Sequence, residues 1–259
     1  MADAPTSTPP ETVIRVRGLR TQFGTHVIHE DLDLDVYRGE ALGIVGASGS
    51  GKSVLMRAIV GLVKPVGGRI EMFGADVTGV GPEAAERHWG VLFQNGALFS
   101  SMTVAENVMV PLREHVPMSR ALMEEIAAYK IDMVGLPADA GVKYPSELSG
   151  GMRKRAGIAR ALALDPDILF LDEPTAGLDP IGAAAFDDLV RDLGDTLGLT
   201  VVMVTHDLDT LYAVCDRVAV LIDRRLVAGT LDELVDVDND WIHEYFHGPR
   251  SRIPARTGG

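Results

Sequence analysis

Apolar and polar residues alternate over 13–16 and 32–36, the period of strands with one covered face. The stretch 41–45 is apolar throughout, which predicts a strand covered on both faces, and it feeds a glycine-rich turn. Helical spacing follows over 54–63. Two further apolar β-type runs, 168–171 and 200–204, flank the helix-like stretch 181–197, the rhythm of a parallel sheet with crossover helices. Residues 217–227 read as a terminal hairpin, whereas 104–163 has helical spacing with few strand signals. The pattern predicts an α/β core carrying a mostly helical insertion. Residues 1–11, rich in Pro, Ser, Thr and Ala, read as a disordered lead, and 248–259 as a flexible tail. The folded domain is expected over 12–247, with its helical subdomain over about 97–163.

Composition narrows the class. The 259 residues are 46% hydrophobic and 24% charged, enough for a substantial core. No run approaches the roughly 20 apolar residues of a membrane span, and the lead lacks the basic end and apolar centre of a signal peptide, so a cytoplasmic location is expected. Cys215, the single cysteine, excludes an intrachain disulfide and reads as a buried, inert thiol. A net charge of −13 argues against a nucleic-acid partner, although Arg250, Arg252 and Arg256 give the tail a local basic excess.

Candidate chemistry begins after the first apolar run. Gly46, Ala47, Ser48, Gly49, Ser50, Gly51, Lys52 and Ser53 fit the phosphate-binding loop pattern, with Val54 leading into the helix. Glycines there let backbone N–H groups point at phosphate oxygens, Lys52 reaches the β/γ-phosphates, and Ser53 would hold Mg²⁺. A second element is the apolar strand 168–171 ending in Asp172 and Glu173, the Walker B arrangement at the carboxyl edge of the sheet. Asp172 would meet Mg²⁺ and Glu173 would act as general base on the attacking water. Carboxylates after a strand are commonly solvated or capping groups, and the phosphate loop is what lifts this pair above that reading. Third, Ser149, Gly150 and Gly151 precede a helical run and form another anion site without its own lysine. Such a site makes sense if it completes the γ-phosphate site of a partner subunit.

With Leu148 and Met152, these motifs make residues 12–230 resemble the ABC ATPase family, since the phosphate loop, Gln94, the 148–152 signature, Walker B and His206 stand in that family's order. The resemblance implies a P-loop NTPase fold with an antiparallel β subdomain and a helical subdomain. It also implies a homodimer around two ATP molecules with Mg²⁺, attached to integral membrane permease subunits on the cytoplasmic face of the inner membrane. By the same resemblance Gln94 contacts Mg²⁺ or water and signals to the permease, Asp179 belongs to the loop that crosses the dimer, and His206 binds the γ-phosphate. Phe23 matches the aromatic that stacks on adenine. Met152 stands where Gln is usual. That departure, together with 91–99, 102–108, 111–115 and 145–152, is similar to the ATPases of Mla/Mce-type phospholipid transport systems. This implies a phospholipid or other hydrophobic cargo, with a small STAS-domain protein and an Mce-domain substrate-binding protein as further partners. The alternatives are a small-solute importer and a soluble ABC protein acting on nucleic acid.

Two other clusters are read conservatively. His243 and His247 share one helix face but lack a third ligand, and with Trp241, Tyr245 and Phe246 nearby they suggest a packing helix. Arg153, Lys154 and Arg155 read as solvent-facing or interfacial helix charges.

Overall fold

The computed structural model describes residues 10–78, 88–94 and 96–247. The expected tail 248–259 and most of the lead, 1–9, lie outside them. Glu11, placed by the sequence in the lead, is tied to Arg38 by a 2.7 Å ion pair.

Strands β1 (Thr12–Phe23) and β2 (His26–Tyr37) form an antiparallel hairpin, extended by β4 (Gly67–Met72) and β5 (Ala75–Asp76) into a sheet of order β2-β1-β4-β5. A second sheet contains β3 (Ala41–Gly46), β6 (Trp89–Leu92), β7 (Ile168–Asp172), β8 (Thr200–Val204), β9 (Arg217–Ile222) and β10 (Arg225–Gly229), in the order β10-β9-β3-β8-β7-β6. All its pairings are parallel except that of β10 with β9.

The parallel strands read as apolar runs because both their faces are covered. Ile168 and Phe170 of β7, with Val202 and Val204 of β8, point into a core shared with the antiparallel sheet and with α1 (Lys52–Ile59). Leu169, Leu171, Val201 and Met203 point the other way. They meet the helical region formed by α2 (Val104–His115), α3 (Arg120–Met133), α4 (Gly150–Ala161) and α5 (Pro180–Leu197). A third cluster packs α6 (Leu208–Val214), α7 (Leu231–Val235) and α8 (Asp240–His247) against β9, with Ile242 and Phe246 fully buried. The aromatic helix therefore packs as expected, and Trp241 stacks on Tyr245 at 4.8 Å.

Local signals fix the helix ends. The Thr103 side chain and Glu106 form a reciprocal capping box on α2. Asp179 caps α5, Pro180 follows at the first helical position, and Gly198 ends the helix in the left-handed conformation.

One core position is unfavourable. Asp187 of α5 is 4% exposed, and its Oδ2 accepts from Thr210 Oγ1 at 3.0 Å. Its Oδ1 has no partner. Burial pushes this carboxyl up to about 6, with Asp207, Asp188 and Asp209 adding to the rise. The folded state thus binds a proton more tightly than the unfolded chain, so stability falls as pH rises from about 4 through about 6 and is level above. Asp187→Asn is expected to stabilise the protein by on the order of 2–3 kcal/mol at pH 8 and by almost nothing at pH 4. Urea unfolding at the two pH values measures the difference.

Candidate functional site

Strand β3 delivers the glycine-rich loop to the carboxyl edge of the parallel sheet and α1 leaves it, so 46–53 has the strand–loop–helix form expected of a phosphate cradle. Gly51 sits immediately before α1 with φ 105°, and a Cβ there would lie 2.4 Å from Ile28 Cγ2 and 2.7 Å from His29 Nε2. The loop is therefore pressed against β2. His29 is fully buried, its Nδ1 lies 2.7 Å from Thr21 Oγ1, and burial pushes its imidazole down to about 4. A neutral ring thus backs the loop at physiological pH.

Lys52 Nζ donates to the carbonyls of Gly46 and Ala47, each at 2.9 Å, which leaves its third N–H for an incoming anion. Burial pushes this ammonium down, while the charges of Glu173 and Asp172 push it back up. Ser53 Oγ donates to Asp172 Oδ1 at 2.9 Å. That bond joins the phosphate loop to the end of β7 across 119 positions of sequence.

Beyond Asp172 the chain turns sharply. Glu173 has φ 50°, a left-handed conformation uncommon for a residue with a Cβ, while its N–H still donates to Val204 O at 2.8 Å. Its Oε2 lies 2.7 Å from His206 Nδ1, and His206 follows β8 on the same edge. Lys52, Ser53, Asp172, Glu173 and His206 are thus gathered at one edge of one sheet.

The remaining expected residues lie on exposed loops and helix ends. Ser149 caps α4, its Oγ accepting from Met152 N at 3.2 Å, with Gly150 and Gly151 opening the first turn. Asp179 accepts from Ile181 N and Gly182 N. Gln94 is exposed after β6, and Phe23 is 54% exposed at the end of β1. The side chains of Ser149 and Asp179 cap their own helices, and those of Gln94 and Phe23 stand exposed, so the Lys52–His206 group is only part of the expected set.

The basic triplet corrects the sequence reading. Lys154 is not solvent-facing: it is 6% exposed and donates to the carbonyls of Glu173, Pro174 and Ala176 at 3.2, 2.5 and 2.7 Å. Arg153 donates to Leu148 O, and Arg155 to Val134 O and Ala185 O. The spacing held a signal, since Lys154 and Ile158 lie four apart on one buried stripe of α4 that Leu162 continues at the helix's C-terminal cap.

A family model described as ABC transporter matches residues 29–176. The chain is 39% identical over 248 residues to a probable ribonucleotide transport ATP-binding protein of Mycobacterium leprae, covering 93% of this chain and 71% of that protein. It is 35% identical over 255 residues to the intermembrane phospholipid transport system ATP-binding protein of Haemophilus influenzae, covering 95% and 96%. With a methionine import ATP-binding protein of Nocardia farcinica the identity is 43% over 263 residues, covering 99% and 73%. Among solved structures, the ATP-binding cassette MJ0796, a dimer in a post-hydrolysis state bound to ADP and Pi, superposes with a TM-score of 0.76. It is 29% identical, covering 84% of this chain and 98% of that one.

The loop geometry separates two glycines. Gly51→Ala combines a left-handed φ with close contacts to Ile28 and His29, and should cost several kcal/mol, on the order of 2–4. Gly49→Ala has φ 78° but nothing within 4 Å, so only backbone strain of about 1–2 kcal/mol applies. Urea midpoints of the two variants should differ accordingly.

Proposed function

The chain belongs to the ABC transporter family and is an ATP-binding, ATP-hydrolysing subunit of a transporter; from that membership we propose how its residues act and what it moves. The observation that carries the reading is the Ser53–Asp172 hydrogen bond beside Lys52, which makes the phosphate loop and the carboxylate strand one site. Backbone N–H groups from Gly46 to Ser53 cradle the β- and γ-phosphates, and the free N–H of Lys52 binds between them. Ser53 Oγ and Asp172 are hard oxygen donors 2.9 Å apart, a set that suits Mg²⁺. The ion would neutralise phosphate charge. Glu173 takes the proton of the attacking water, and His206, hydrogen-bonded to it here, turns to the γ-phosphate when ATP is bound.

Ser149, Gly150 and Gly151 form an N-terminal anion site far from their own chain's lysine in sequence, and serve the γ-phosphate of a second copy. Asp179 crosses that interface. Gln94 senses the metal or water, and Phe23 and Val54 flank the nucleotide. That the related cassette MJ0796 is a dimer supports the pairing of two copies. ATP binding closes the dimer and pushes on permease subunits, and hydrolysis reopens it. No helix among the described residues is long and apolar enough to cross a membrane. We place the protein peripherally on the cytoplasmic face of the inner membrane, held there by its permease.

For cargo we propose phospholipid or another hydrophobic molecule. The residues around Gln94 and the Met152 signature support it, as does the match along nearly the whole length of the phospholipid-system relative. The methionine-import relative keeps small-solute import as the second reading. Genes for a permease, an Mce-domain protein and a small STAS-domain protein are expected beside this one. A gene for a solute-binding protein in their place would move the cargo to a small solute.

Replacing Glu173 with Gln is expected to keep ATP binding while turnover falls roughly 10²–10⁴-fold, because the amide keeps the shape but cannot accept the proton. Phosphate release by the purified variant, measured beside nucleotide titration, checks both halves. Wild-type turnover would remove Glu173 from the mechanism.

A further inference from the structure

Lys154 has a use that the reading above leaves unassigned. It sits in the second turn of α4, the helix that begins at Ser149. Its three N–H donors are all spent on three carbonyls of one turn, those of Glu173, Pro174 and Ala176. Burying an ammonium costs several kcal/mol unless its donors are satisfied, and here carbonyl dipoles rather than an ion pair satisfy them. Burial pushes its pKa down and the charge of Glu173 pushes it back up.

The choice of partners matters. A carboxylate partner would fix a side chain, whereas carbonyl partners fix a backbone, and this backbone begins with Glu173 in its left-handed conformation. A left-handed residue with a Cβ persists only where its surroundings hold it. Val204 O holds the N–H side of that turn and Lys154 holds the carbonyl side. From Ser149 to Lys154 is about 7.5 Å of helix, too short to bend appreciably.

We propose that Lys154 is the positioning residue of the catalytic turn, fixing Glu173 against the signature helix of its own chain. This rests on the reading of Glu173 as general base. It has a consequence for the dimer: α4 offers Ser149 to the partner's nucleotide while Lys154 holds the base for its own. One rigid helix would thus touch both sites of the dimer.

The test compares Lys154→Met, which keeps length and removes every donor, with Lys154→Gln, which keeps two. Turnover should fall roughly 10–100-fold in the first and less in the second, while ATP affinity stays within about threefold of wild type. Lost affinity, or unchanged turnover, overturns the proposal. Should the Met variant fail to fold, the Gln variant carries the same comparison. Mixed dimers then locate the action. With Lys154→Gln and Glu173→Gln in one chain beside a wild-type partner, both lesions fall on one site, and the dimer should match a Glu173→Gln/wild-type dimer. With the lesions in opposite chains, both sites are damaged and activity should be lower. Where the Glu173→Gln/wild-type dimer turns over, equal activities, or the reverse order, overturn the proposal. If a dimer with one intact site is silent, the affinity and turnover of the Lys154 homodimers decide alone. A Glu173→Gln homodimer that turns over normally would instead overturn the catalytic reading itself, before any Lys154 variant is considered.

Discussion

The constraint on which the molecule depends is the burial of both faces of its parallel sheet. In β7 and β8 successive side chains enter opposite cores, Ile168, Phe170, Val202 and Val204 on one side and Leu169, Leu171, Val201 and Met203 on the other. Neither face of these strands has room for a charged group, because an unpaired charge there would cost far more than a buried methyl contributes. Polar chemistry is therefore pushed to the strand ends. The carboxyl edge collects it: Gly46 ends β3, Asp172 ends β7, and Thr205 and His206 follow β8. Three strands paired side by side in the order β3-β8-β7 are enough to bring the glycine-rich loop, Asp172, and Glu173 with His206 within reach of one another, the proposed phosphate, metal and base positions.

That edge is held under strain on both sides. The loop needs Gly51 because β2 leaves no space for a Cβ, and the turn after β7 forces Glu173, which does carry one, to a positive φ. In each case neighbouring elements supply the restraint: Ile28 and the neutral His29 behind the loop, Val204 O and Lys154 around the turn. Pre-organisation of this kind keeps the charged groups in place before substrate arrives, so little reorganisation is left to the reaction.

What could be read from the sequence follows the same logic. Strands covered on both faces appear as unbroken apolar runs, and 41–45, 168–171 and 200–204 fall inside β3, β7 and β8. The antiparallel hairpin was only half legible. β1 and β2 run for 12 residues each, but register shifts near Gly18 interrupt the alternation, so only the segments 13–16 and 32–36 kept a period of two. Strand β4, with Gly67 and Gly68 at its start, and the four-residue β6 carried too little pattern to be recognised. The helix expected over 54–63 begins at Lys52, since Gly51 itself serves as its left-handed cap, and ends at Ile59 before Gly61. The sequence reads Cys215 as a buried, inert thiol; the residue as a whole is half-buried, and burial pushes its thiol up to about 12. The placement of Lys52, Ser53, Asp172 and Glu173 at the sheet edge was legible because apolar strand runs lead into the loop and turn that hold them. Lys154 was only partly so: it stands four positions before the buried Ile158, but a basic triplet on a helix looks like solvent-facing charge until its partners are known.

Those partners give α4 a role beyond its capping serine. Four of its cations end on backbone carbonyls: Arg153 on Leu148, Lys154 on the turn from Glu173 to Ala176, Arg155 on Val134 and Ala185, and Arg160 on Gly96 and Ala97. The last pair lies just beyond Gln94, so one helix grips both the loop expected to face the permease and the turn that carries Glu173, the proposed base. Carbonyl dipoles give weaker electrostatic attraction than carboxylates, but they fix main chain rather than a rotatable side chain, and a main chain so held moves with the helix. Asn107 does similar work at the far end of the same loop, with its amide bonded to Phe99, Met102 and Thr103. If Ser149 meets a nucleotide as proposed, a displacement of α4 would reach both the Gln94 loop and Glu173 through hydrogen bonds already formed. Two segments attached to one stiff element are what coupling nucleotide state to the proposed permease partner would require, and the cations of this helix supply those attachments.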